Sequence, residues 1–102
     1  MIVETIYERL KEHDRKLSRS KFCTKFLCKS RNYWFVCRHN DRDISNDALI
    51  SLYGTLRTTS NVWEEIAREN NSGAAERYLV KYKSMVELAD LALGEIERRA
   101  LA

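Results

Sequence analysis

Three cysteines and one histidine in the middle of the chain, Cys23, Cys28, Cys37 and His39, are the residues whose types could do chemistry. Four, eight and one residues separate successive members. Structural zinc sites use two tight pairs, the partners of each pair two to four residues apart, and this spacing does not supply them. Cys23 and Cys37 also fall on apolar faces, where a thiol packs as a small hydrophobe. A Cys–His nucleophile needs a third group to orient the imidazole and a cleft to hold substrate, and neither is evident in so short a chain. No glycine-rich phosphate loop or paired-carboxylate motif occurs, and Glu64 with Glu65 and Glu95 with Glu97 read as solvated helix faces. No enzyme, metal or cofactor is expected.

Charge is the second resource. The net charge of the 102 residues is only +3, but residues 15–42 hold nine Lys or Arg against one acid, Asp41. That tract carries +8 and leaves −5 for the rest. Such segregation is the footprint of a polyanion-binding face, and a solvated helix pair facing an acidic partner leaves the same footprint. The start, MIVETIYERLKEHD, carries acids where a signal peptide is basic and then apolar, and no apolar run reaches the length of a membrane span. A cytoplasmic location with reduced thiols is expected, and no membrane contact.

The elements that must position these residues are helical. Proline is absent and glycine occurs only at 54, 73 and 94, so a many-stranded fold lacks its turns. A first helix over 2–12 buries Ile2 or Val3, Ile6, Tyr7 and Leu10, with His13 at its solvated end. Ser18 or Ser20 caps a second helix carrying Phe22, Cys23, Phe26 and Leu27. After a break at Cys28-Lys29-Ser30, Ser30 caps a third helix over 30–40, SRNYWFVCRHN, with Tyr33, Trp34 and Cys37 inward and Asn40-Asp41 at its end. Ser45 caps a fourth, with Asp47 in its first turn and an end near Arg57, and Gly54 marks a close helix approach. Thr58-Thr59-Ser60 is read as a link into a fifth helix carrying Val62, Trp63 and Ile66, and Asn70-Asn71-Ser72-Gly73 as a loop.

The segment from Leu17 to Leu56 resembles the lambda-repressor and Cro type of helix-turn-helix, the XRE-like class, over forty residues without a gap. Phe22, Cys23, Leu27, Trp34 and Cys37 match its core positions, and Leu49, Leu52 and Leu56 the buried face of the following helix. Cys28 stands at its turn glycine, Arg38 at a common glutamate and Ile44 at a common proline. The resemblance implies a sequence-reading DNA-binding protein and transcriptional regulator, with Arg31, Asn32, Phe35 and Val36 on base edges. Arg19, Ser30, His39 and Arg42 would hold phosphates. The run YWFVC cannot hide every side chain on one face, so Phe35 and Val36 need a cover: thymine methyl groups or a protein partner. The alternative function is therefore a dimeric interaction module that keeps the fold without binding DNA.

Beyond the loop, Ala75, Leu79, Tyr82, Val86, Ala89, Leu93, Ile96 and Ala100 recur four and three apart, a heptad-like seam on a helix from Ala74 to about Arg99. Tyr78, Met85, Leu88, Leu91 and Ala92 form a flanking stripe. Leu79, Tyr82, Val86, Ala89, Leu93 and Ile96 are the expected homodimer contacts. The sequence thus predicts an all-α, lambda-repressor-like single domain over 1–102, with a helix-turn-helix core over 1–57 and packing or dimerisation helices over 58–102.

Overall fold

A computed structural model describes residues 2–70 and 73–102 and is all-helical there. Its helices are α1 (Ile2–His13), α2 (Arg19–Lys25), α3 (Tyr33–His39), α4 (Asn46–Glu69) and α5 (Ala75–Leu101). No helix among the described residues is long and apolar enough to cross a membrane.

α1 buries Val3, Ile6, Tyr7 and Leu10, the face its spacing requires. Ser18 is the N-cap of α2, its hydroxyl accepting from the Lys21 N–H at 3.1 Å. Phe22 lies at the centre of an aromatic cluster, 5.5 Å from Tyr7 and 5.6 Å from both Phe26 and Trp34, while Tyr7 meets Trp34 edge-on at 5.3 Å. Edge-to-face contacts of this kind add to the area each ring buries, so Trp34 is the anchor that fixes α3 against α1 and α2.

The connection between α2 and α3 is longer than the three-residue break predicted: residues 26–32 are non-helical. Cys28 steps into the left-handed region at φ 55°, which turns the chain so that the Lys29 N–H reaches back to the Cys23 carbonyl at 3.0 Å. α3 is correspondingly shorter than predicted. Ser30 does not cap it; its carbonyl accepts from the Tyr33 N–H inside the turn, and Asn32 occupies the N-cap without a side-chain bond. At the other end the left-handed residue is Asp41 (φ 52°), not Asn40, and the Arg42 N–H closes on the Cys37 carbonyl at 2.8 Å. Those two features make a Schellman ending, in which the residue after the cap reverses the chain.

The predicted link at Thr58-Thr59-Ser60 is absent, because α4 runs through it for 24 residues. Hydroxyls there turn inward onto the helix instead of breaking it: Thr58 Oγ donates to the Gly54 carbonyl at 2.9 Å and Ser60 Oγ to the Arg57 carbonyl at 2.8 Å. Ser60 is only 1% exposed, and its self-satisfied hydroxyl lets a small residue sit in the packed face. Gly54 marks no close approach: a side chain added there would meet nothing within 4 Å.

α4 therefore runs antiparallel to α5 as a long hairpin, Trp63 stacking on Tyr78 at 5.6 Å near its connected end. This extension gives α5, about 40 Å long at 1.5 Å per residue, a partner inside the chain. The stripe it buries is Met85, Leu88, Ala89 and Ala92, mostly the flanking stripe of the sequence pattern. Asn70 caps α4, and Asn71 and Ser72 of the predicted loop lie outside the described residues. α1 is clamped across α5 by the Arg9–Glu87 ion pair at 2.6 Å and by His13, whose Nε2 lies 3.0 Å from Ser84 Oγ rather than at a solvated end.

Candidate nucleic-acid interface

α3 is short, and three contacts set its pose. Trp34 is 4% exposed inside the aromatic cluster, and Cys37 is buried one turn further on. Tyr33 supplies the third: its hydroxyl accepts from the Ser45 N–H at 2.8 Å and donates to Ser45 Oγ at 3.0 Å, tying the first turn of α3 to the N-cap of α4. Ser45 in turn accepts from the Ala48 N–H, so one hydroxyl pair joins both helices.

With Trp34 and Cys37 inward, Phe35 is 73% exposed and Val36 48% exposed. Phe35 stacks on His39, one turn later, with ring centroids 6.1 Å apart. His39 thus leans on an exposed aromatic. Arg31, Asn32, Arg38 and Arg42 are exposed as well.

Three furrows border α3: one at its C-terminal end sets Arg38 and Arg42 among Glu4, Asp41 and Asp43, and two run along its sides. One, of about 360 Å³, is lined by Arg19, Ser20, Arg31, Asn32, Trp34, Phe35 and Arg38. It unites four of the predicted contacts, Arg19, Arg31, Asn32 and Phe35, and contains no acid. Arg38 and Ser20 belong to it and were missed: the Arg38 position was read only as a departure from a family glutamate. The signal was available, since on the helix expected over 30–40 Arg38 follows Phe35 by three residues and Arg31 by seven, which is one face. The other furrow holds Val36 and Arg42 beside Asp43 and Asp47. Lys29 lies there too, paired with Asp47. Ser30 is exposed but lines none of the three.

Arg19 is held in a particular way. Its guanidinium carbon lies 5.2 Å from the Trp34 ring centroid and 5.3 Å from that of Tyr7. Stacking uses the flat face of the guanidinium and leaves its edge N–H groups free to donate, the geometry suited to a phosphate oxygen. Side chains with several rotamers lose less entropy on binding when already held so.

The thiols stand apart from this surface chemistry. Cys23 and Cys37 are buried and Cys28 is exposed, all three free. Burial pushes the Cys23 thiol above its ordinary pKa, against a smaller opposing pull from a backbone hydrogen bond at Trp34. Among the described residues no group of three His, Cys, Asp or Glu is placed to hold a metal ion.

The predicted dimer contacts scatter. Ala89 is fully buried in the chain's own core and is unavailable to a partner, and Ile96 packs against that core. Tyr82, Val86 and Leu93 are half-buried, and Leu79 is exposed. The physical reason is the length of α4, which takes up the α5 face that a shorter helix would have left open.

Residues 3–100 match the profile of a family of unknown function (DUF6626). No curated protein and no solved structure matches the chain.

Proposed function

The chain belongs to DUF6626, a family of unknown function, and from the surface around α3 we propose that it binds duplex DNA as a transcriptional regulator, with α3 in the major groove. The observation that carries this reading is the acid-free furrow where Arg19, Arg31 and Arg38 converge beside Asn32 and the exposed Phe35. A helix fits the major groove, and a seven-residue helix, about 10 Å long, contacts only a few base pairs there. Arg31 then pairs with a guanine, Asn32 with an adenine, and Phe35 and Val36 meet thymine methyl groups. Arg19, Ser30, His39 and Arg42, joined by Arg38, fall to the phosphates and set register. Two copies on a two-fold symmetric site complete the reading, with Leu79, Tyr82, Val86 and Leu93 as the side chains still open to a partner.

The test is selection from a random duplex library at several salt concentrations. A recovered sequence preference supports the reading. Arg31→Ala then relaxes one base position at a cost of about 1–3 kcal/mol, whereas Arg19→Ala weakens all sequences alike. No enrichment at any salt removes it.

A second reading has one observation in its favour: Phe35, at 73% exposed, is a large apolar side chain on a helix that DNA need not cover. α3 then serves a protein partner. Loss of a co-purifying protein on Phe35→Ala, from a chain without duplex affinity at low salt, supports this reading, whereas weakened duplex binding by Phe35→Ala supports the first.

A further inference from the structure

α1, the C-terminal end of α2, α4 and α5 line a partly open cavity of about 130 Å³. Its apolar wall comes from Leu17, Phe26, Trp63 and Met85, drawn from four different segments. Lys25 and Lys81 stand at its edge, each over a ring of that wall: Lys81 Nζ is 4.5 Å from the Trp63 centroid and Lys25 Nζ 5.9 Å from that of Phe26. Neither ammonium has a carboxylate partner among the described residues.

We propose that this cavity binds a small monocarboxylate with an aromatic or compact apolar body, about the size of benzoate. Volume sets the body: an apolar protein cavity of about 150 Å³ accepts benzene, so a space of about 130 Å³ takes a single ring. Charge sets the head. Two lysines held over aromatic rings place unpaired positive charge above an apolar floor, which favours an anion at the rim over a neutral group. Asp14 also lines the site, its Oδ1 accepting from the Lys16 N–H at 3.1 Å. Two ammoniums against one carboxylate leave the rim a net charge of +1, which a single carboxylate head neutralises and a dianion overshoots. The site does not depend on what α3 binds.

Methyl NMR of the full chain labelled at methionine reads this directly, because Met85 is buried in the cavity wall and Met1 is the other methionine. Titration with benzoate shifts the Met85 methyl signal saturably, since a ring lodged beside it adds its ring current. Benzamide, of the same shape without charge, binds about tenfold more weakly, as expected from loss of one charge-assisted contact at a partly solvated rim. The Lys25→Gln, Lys81→Gln double variant, altered only at the rim, loses the same factor for benzoate and none for benzamide. An unmoved Met85 signal at saturating benzoate overturns the site. Equal affinity for benzoate and benzamide, or an unchanged benzoate affinity in the double variant, overturns the carboxylate assignment.

Discussion

Arg99, two residues from the end of α5, donates from Nη1 to the Ile44 carbonyl at 2.8 Å across 55 positions of sequence. The same guanidinium reaches Asn46 Oδ1 at 3.0 Å, Asp43 at 3.2 Å and Glu95 at 3.2 Å. Its side chain is 18% exposed, and it ties the end of the hairpin to the segment that carries the chain from α3 into α4. One side chain thus couples the long helices to the pose of α3. Replacing Arg99 by Ala leaves the Ile44 carbonyl without that donor and is expected to cost about 1–3 kcal/mol. Arg99→Lys recovers only part, since an ammonium cannot reach all four acceptors with a planar fork. Thermal denaturation followed by circular dichroism measures both, with a loss of about 5–10 °C or more expected for Arg99→Ala in a domain of this size.

Glu95, paired with Arg98 and Arg99, carries a pH signature. The bond from Arg98, followed by that from Arg99, lowers its pKa from 4.5 to about 2. A carboxylate whose folded pKa is depressed contributes stability that is complete above its unfolded value and is lost as pH falls through the folded one. Stability from Glu95 is therefore present above about 4.5 and disappears on acidification toward about 2. The melting temperature of Glu95→Gln is expected to lie below the wild type near neutral pH and to converge on it toward about pH 2. Parallel melting curves across that range contradict the assignment.

Gly54 and Gly94 sit inside α4 and α5, and a side chain at either would touch nothing within 4 Å. Each Gly→Ala change removes backbone freedom from the unfolded chain without a clash in the folded one and is expected to stabilise by about 0.5–1 kcal/mol. The double variant should gain close to the sum, as the sites share no partner. Chemical denaturation midpoints report it, and a loss of stability at Gly54 would restore a packing role to that glycine.

Much of this architecture was legible in the residues. The apolar spacing of Val3, Ile6, Tyr7 and Leu10, the caps at Ser18 and Ser45, and the inward pair Trp34 and Cys37 all stand where local chemistry puts them. The continuity of α4 was not, because Thr58, Thr59 and Ser60 have weak helix propensity, and the helix holds through them by packing against α5 while the Thr58 and Ser60 hydroxyls bond to their own helix. The start of α3 was misplaced for a related reason. Ser30 is a good cap by type, but the left-handed step at Cys28 leaves its carbonyl, not its hydroxyl, in the turn. Arg38 and Arg99 show the remaining limit: one needed the helical face read from Phe35 and Arg31, and the other meets partners that no local pattern brings near.

The most direct measurement of the DNA-binding proposal is duplex affinity against salt, by fluorescence anisotropy, for the wild type and for Arg19→Ala and Arg38→Ala, each first checked for native circular dichroism. Neutralisation of about four to six phosphates per protomer gives a slope of log affinity against log salt of roughly −4 to −5. Each arginine variant flattens it by about 1. Binding that is undetectable at low salt, or slopes that all three proteins share, contradicts the proposal that the arginine-lined furrow beside α3 is a nucleic-acid interface.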